Sequence, residues 1–277
     1  MKSSGLMLDI ARTSFDLHEI KSVIKQVAKL GGKYVQLHFC DSNHYAIESK
    51  VLGNPAKSEG RLENKSVLSL DEIRDLSEYA KSLGIELIPE LELPAHSNKL
   101  LDLLFNHNWD YWNSVRTHEG GYQLHLGSPE TYKLVKELIA ELMGAFTNTK
   151  TIHLGGDEFE FGTENTPVNV CNFFNNLSLW ILETYNCRTK VWNDFITKDI
   201  LQKGLLNTRI DVVYWSQSGE ATKGSEVEAE RLRTRATAQE ISDYGNNLWN
   251  SQAWFCYSVP NDRRDFTNWN SVYAGRD

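Results

Sequence analysis

Two adjacent acids, Asp157 and Glu158, follow a pair of glycines in the run TIHLGGDEFEFG, residues 151–162. Neighbouring carboxyls are most often solvated surface charge. Here Ile152 and Leu154 alternate with His153 in the manner of a strand with one buried face. Gly155 and Gly156 would let another backbone or a ligand come close. Consecutive side chains of an extended chain point to opposite sides, so the two acids are expected in unlike surroundings. Carboxyls in unlike surroundings can hold unlike protonation states, as acid–base chemistry near neutral pH requires. His153, four residues before Asp157, raises a second chemistry: a metal-dependent hydrolase with His153, Asp157 and Glu158 as ligands. The lack of a second histidine at ligand spacing argues against it, and the expectation is a site with no metal.

The elements that must carry these acids read as strands alternating with capped helices. GLMLDIAR (5–12), YVQLHFCD (34–41), IELIPELEL (85–93), the opening stretch, RTKVWNDF (188–195), IDVVYWSQ (210–217) and NLWNSQ (247–252) read as seven strands. Asp16 with Glu19 and Ser69 with Glu72 have capping-box spacing ahead of two helices, and Ser128–Pro129 opens a third. Leu134, Leu138, Leu142 and Phe146 of that helix fall on one face, which is core patterning. Further helices are expected over 168–186 and 237–245, and an irregular segment around Trp109, Tyr111 and Trp112.

This alternation implies a parallel sheet, either a TIM barrel or a doubly wound sheet. Arg12, Asp41, Glu90, Asp157 with Glu158, Trp192 with Asp194, and Trp215 fall at the C-terminal ends of successive strands, which in a barrel ring one mouth. No GxGxxG follows the first strand, so a (β/α)8-type TIM barrel is favoured. Trp192 and Trp215 can be core residues as readily as walls of a site. Repeated beside polar residues as VWND and YWSQ, they suit sugar rings, whose C–H faces are apolar and whose rims carry hydroxyls. Arg12 is either a structural ion-pair partner or a fork of donors for sugar hydroxyls.

At 277 residues the chain can bury a large core, and 40% hydrophobic and 24% charged residues are ordinary for a soluble globular protein. The formal charge of −8 argues against a nucleic-acid partner. Cys40, Cys171, Cys187 and Cys256 lack CxxC spacing and read as buried thiols. No apolar run reaches a membrane span of about 20 residues, and the N-terminus lacks a signal peptide's apolar core. No membrane partner is therefore expected.

HLGGDE resembles the His-x-Gly-Gly-Asp-Glu motif of the β-N-acetylhexosaminidases of glycoside hydrolase family 20. GLMLDIAR, LHFCDSNHYAIES, GIELIPELELPAH, VWND and YWS are similar to further motifs of that family, in matching order from about Gly5 onward. The resemblance implies a retaining β-N-acetylhexosaminidase without organic cofactor, in which the substrate's own 2-acetamido oxygen attacks C1. It implies Glu158 as general acid and base, and Asp157 as the partner of the acetamido N–H. It also implies Arg12 on sugar hydroxyls, Trp192 and Trp215 as walls of the acetamido pocket, and Tyr257 as donor to the acetamido carbonyl. Asp41 and His96 match polar residues behind the site that would fix Asp157 and His153. The partner implied is an N-acetylglucosamine-containing glycan such as poly-β-1,6-N-acetylglucosamine, met outside or at the surface of a cell.

Two departures stand out. Phe161 occupies a position where a tyrosine is expected, and NWNSVYAGRD ends the chain without the Trp and Glu of an eighth strand. The expectation is one catalytic barrel domain over 1–277 that lacks its eighth βα unit. A catalytically weak glycan-binding derivative is the alternative.

Overall fold

The computed structural model describes residues 3–57, 66–119, 122–159, 161–215 and 233–251. Seven parallel strands form one sheet: β1 (Gly5–Asp9), β2 (Tyr34–His38), β5 (Glu86–Glu90), β6 (Thr151–His153), β7 (Arg188–Trp192), β8 (Asp211–Tyr214) and β9 (Leu248–Asn250), in that spatial order. A two-stranded antiparallel ladder, β3 (Cys40–Asp41) with β4 (His44–Tyr45), follows β2. The helices are α1 (Leu17–Lys29), α2 (Leu70–Ser82), α3 (Asn98–His107), α4 (Trp109–Val115), α5 (Pro129–Ala145), α6 (Pro167–Tyr185), α7 (Lys198–Gln202) and α8 (Ala238–Tyr244).

Local chemistry accounts for the helix starts. Asp16 with Glu19, Ser69 with Glu72 and Thr237 with Glu240 each form a reciprocal capping box, satisfying backbone donors that a helix N-terminus leaves open. The segment expected to be irregular around Trp109 is instead two helices. Leu100, Leu101 and Leu104 bury one face of α3, and the Asn108 side chain accepts from Tyr111 N–H (3.1 Å) to start α4. Exposed aromatic and polar residues on the other faces masked this periodicity.

The sheet is rolled. Tyr34 of β2 and Trp249 of β9 meet edge to face with ring centroids 5.6 Å apart, although four strands separate β2 and β9 in the sheet order. Between them, Lys190 Nζ of β7 lies 4.5 Å from the Tyr34 ring and 3.6 Å from the Trp249 ring. Side chains of three strands thus converge inside one curved sheet, which is the (β/α)-barrel arrangement of the TIM type. Seven of its strands lie among the described residues. The expectation about an eighth unit falls on residues 252–277, outside them.

The two faces of the strands differ in kind. Val35, Leu37, Leu87, Ile152, Val191 and Val212 join one apolar core with helix residues such as Ile20, Ile24, Leu76 and Leu138. The opposite set faces the lumen, and much of it is polar and buried: Gln36, His38, Glu90, His153 and Lys190. Strand register aligns Asp9, His38, Glu90, His153, Lys190 and Asp211 in one row across six strands. Cys40, Cys171 and Cys187 are buried free thiols, as expected, while Cys256 lies outside the described residues. No helix among the described residues is long and apolar enough to cross a membrane.

Candidate active site

β6 ends at His153, so the acids lie four and five residues beyond the strand, not at its last position. Gly155 (φ 70°) and Gly156 (φ 103°) turn the chain in the left-handed region. A Cβ on Gly155 would fall 2.5 Å from Glu92 Oε2 and 2.6 Å from Leu93 N, and one on Gly156 would fall 3.0 Å from the Phe195 ring. The glycines therefore serve both the turn and the close approach that the sequence suggested. Glu158 itself has φ 49° and His96 φ 53°, conformations that cost a non-glycine residue ~1–2 kcal/mol and concentrate at functional sites.

This turn separates the environments of the two acids. The Asp157 side chain is 17% exposed and that of Glu158 is 54% exposed. His96, on the loop after β5, reaches both: its Nε2 lies 3.6 Å from Asp157 Oδ2 and 3.2 Å from Glu158 Oε2. The Glu158 hydrogen bond, with the charges of Asp157 and Asp41, raises the His96 pKa against the opposing effect of burial. Burial pushes the Asp157 carboxyl up, with Glu92 and His96 working against it.

Arg12 forks between Asp9 Oδ2 (2.9 Å) and Asp41 Oδ2 (2.6 Å) at the exposed rim. Asp41 also takes His38 Nε2 at 3.0 Å and lies 3.9 Å from His96 Nδ1. Burial raises the Asp41 carboxyl, yet the His38 bond and the Arg12 charge outweigh this and hold it below the ordinary range. Asp41 thus braces Arg12 and His96, and its link to Asp157 runs through His96.

Beneath this rim the lumen carries its own network. Burial disfavours a charge on His38, but Glu90 and Asp41 lift its pKa to about 10, making it an imidazolium at neutral pH. Burial pushes Glu90 up, and the charge and hydrogen bond of His38 outweigh it to hold Glu90 ionised. His153 is itself pushed down to about 4 by burial and is neutral. The cation that balances Glu90 is therefore His38, at 3.4 Å, assisted by Gln36 Nε2 at 2.9 Å.

Trp192 is 7% exposed, and its Nε1 donates to Glu90 Oε1 and Glu92 Oε1, both at 3.1 Å. Its ring packs against His153 (4.5 Å) and, edge on, against Trp215 (6.4 Å). Trp215 Nε1 donates to Asp194 Oδ2 at 2.8 Å, Asp194 also accepts the Glu158 backbone N–H, and its Oδ1 forms an ion pair with Arg235 Nη1 at 3.0 Å. Tyr257 lies outside the described residues.

The trio considered for a metal is not assembled. His153 is wholly buried against Glu90 and Trp192, because its side chain enters the lumen before the chain turns at Gly155. His96 is the histidine that joins both acids, and one ligand atom from each of His96, Asp157 and Glu158 lies within 4.8 Å of the others. His38, Glu90 and Glu92 form a second such trio, buried in the lumen. His38 and Glu92 were not singled out as site residues from sequence, and Asp194 was placed at the barrel mouth without a role. The alternation of YVQLH and ELEL, which puts Gln36 with His38 and Glu90 with Glu92 on one strand face, was the available signal for two of them.

Comparison with known proteins agrees with this architecture. The chain is similar to dispersin B, whose crystal structure superposes with a TM-score of 0.86 at 29% identity, covering 98% of this chain and 81% of that one. It is 26% identical over 224 residues to the beta-hexosaminidase subunit beta of Entamoeba histolytica, covering 79% of this chain and 39% of that protein. It is 25% identical over 197 residues to the chitooligosaccharidolytic beta-N-acetylglucosaminidase of Ostrinia furnacalis, covering 70% and 33%. The chain thus spans roughly a third of the length of these curated relatives. Residues 3–274 match the glycosyl hydrolase family 20 catalytic domain, and the chain belongs to that family.

Proposed function

We propose that this chain, read as one catalytic domain, is a retaining β-N-acetylhexosaminidase that uses the 2-acetamido group of its substrate as the nucleophile. The observation that carries this reading is the position of the two acids relative to each other. In the usual two-carboxylate schemes the acids flank the scissile bond from opposite sides. Here both Asp157 Oδ2 and Glu158 Oε2 lie within 3.6 Å of one nitrogen of His96, which ties the two acids together. Acids tied to one histidine favour roles that do not require one of them to attack C1 from the face opposite the other. A nucleophile supplied by the sugar removes that requirement.

In this reading the half-exposed Glu158 protonates the leaving glycosidic oxygen and then takes a proton from the incoming water. The acetamido carbonyl oxygen closes on C1, forming a cyclic oxazolinium cation. Asp157 accepts the acetamido N–H and offsets the developing positive charge. Trp215 and Trp192 wall the acetamido group, Tyr257 donates to its carbonyl, and Arg12 binds hydroxyls at the rim. The similarity to dispersin B favours poly-β-1,6-N-acetylglucosamine or a related glycan as substrate, with no metal or organic cofactor.

The test is binding of a cyclic thiazoline that mimics the oxazolinium, alongside hydrolysis of a chromogenic N-acetyl-β-glucosaminide. The mimic should bind at least about a hundredfold more tightly than N-acetylglucosamine, at the lower end for intermediate analogues, and Asp157→Asn should abolish the difference. A variant that keeps the preference would remove Asp157 from its role. Sugar binding with no turnover would indicate a glycan-binding derivative.

A further inference from the structure

A carboxyl beneath the catalytic pair takes no part in the chemistry above. Glu92 is 1% exposed. Its Oε1 shares the Trp192 indole N–H with Glu90 Oε1, both at 3.1 Å, so one proton ties two buried carboxyls together. Glu90 has a cation and a further donor close by, since His38 Nδ1 is 3.4 Å from Glu90 Oε2 but 3.9 Å from Glu92 Oε1. Glu92 Oε2 packs against the Gly155 backbone and receives no N–H or O–H donor among the described residues. Asp157 Oδ1 is likewise buried without a donor.

The side chains of Glu92 and Asp157 are nonetheless within hydrogen-bonding reach of each other. Two ionised carboxyls are acceptors only, so a bond between them needs a proton. Buried side by side, they cannot both carry charge. Asp157 faces the His96 imidazole through Oδ2, at 3.6 Å, which favours charge on Asp157 and the proton on Glu92. We infer that Glu92 is a neutral carboxylic acid that donates its O–H from Oε2 to Asp157 Oδ1, making it a positioning residue for Asp157. The bond ties down the inner oxygen of Asp157 and leaves Oδ2 turned toward the mouth. It also keeps Asp157 an anion, because an ionised Glu92 at this distance would force the proton onto Asp157. Burial and the charges of Asp157 and Glu90 push the Glu92 carboxyl well up, in keeping with that assignment.

The role given to Asp157 rests on the proposed hexosaminidase activity, whereas the protonation state of Glu92 does not, and the experiment separates the two. Infrared spectra of the whole chain in D2O at neutral pH should contain the carbonyl stretch of a buried protonated carboxyl that Glu92→Gln removes and Glu90→Gln retains. The kinetic arm uses Glu92→Gln, whose amide keeps a donor for Asp157 and an acceptor for Trp192, and Glu92→Leu, which keeps the volume and loses both. Glu92→Gln should stay within about threefold of the parent kcat. Glu92→Leu should lose about tenfold to a hundredfold, the equivalent of one hydrogen bond to a charged group. Its acid limb should also move to higher pH, because Asp157 has lost the donor that held its pKa down. Absence of the band in the parent, its loss in Glu90→Gln, or a Glu92→Gln variant as impaired as Glu92→Leu would each overturn the inference. A parent that shows the band and hydrolyses no N-acetylhexosaminide would overturn the proposed activity and leave the protonation of Glu92 standing.

Discussion

Asp194 offers a measurement in which geometry, charge and pH make one joint prediction. Its carboxylate accepts from Trp215 Nε1 at 2.8 Å and from the backbone N–H of Glu158, and its Oδ1 forms an ion pair with Arg235 Nη1 at 3.0 Å. Burial nevertheless lifts its pKa from 3.8 to about 6, with the Arg235 charge opposing. An acid whose pKa is higher in the folded than in the unfolded chain is protonated in both states at low pH, and there it costs nothing. Between about pH 3.8 and about pH 6 the unfolded chain ionises this group in water while the fold still holds it neutral, so stability falls across that window and levels off above it, where the fold holds a buried anion. A gap of about two pH units, at about 1.36 kcal/mol each, makes the loss ~3 kcal/mol at neutral pH.

Asp194→Asn removes the charge and keeps an oxygen for Trp215 or Glu158. Urea unfolding of parent and variant at about pH 3 and about pH 7.5 gives two stability differences, and these should differ by ~3 kcal/mol in the variant's favour at the higher pH. In melting temperature this is of order 6–12 °C for a chain of this size. A difference that is the same at both pH values would refute the burial argument. The parent would thus give up stability to hold Trp215 and the Glu158 backbone, which is common where a site has to be kept in place. Asp194→Ala, which removes the acceptor altogether, should also weaken binding of N-acetylglucosamine.

Two further outcomes are expected. Glu158→Gln should lower kcat by about a hundredfold or more, most for substrates with poor leaving groups, whereas an equal loss across a leaving-group series would reduce Glu158 to a positioning role. Trp192→Phe removes the N–H shared by Glu90 and Glu92 and should lower stability by ~1.5–3 kcal/mol, as for a lost hydrogen bond to a charged group; an unchanged urea midpoint would contradict this.

Features written in short segments were legible without the structure. The capping boxes at Asp16 and Ser69 start helices where expected, because a cap is made by residues three apart in the chain. All seven sheet strands were anticipated in order, since the parallel-sheet pattern repeats locally. Several read two or more residues too long, as RTKVWNDF did against Arg188–Trp192, because the residues that leave the sheet at the mouth, Asn193, Asp194 and Phe195, remain buried. Helices α3 and α4 were missed because Trp109, Tyr111 and Trp112 obscured the leucine spacing that buries α3.

The sequence by itself determined the barrel class, the run from His153 to Glu158 and the ring of polar residues past the strand ends. Each depends on residues only a few positions apart. Only the tertiary structure decided what those residues are beside. It moved His153 away from the acids, brought His96 to them, and set Glu92 against Asp157 across 65 positions of chain. It also stacked His38, Glu90, His153 and Lys190 in one row of the lumen. The physical reason is that strand register and curvature are fixed by packing of the whole barrel. Whether a buried carboxyl holds a proton or a charge depends on the neighbours that register supplies.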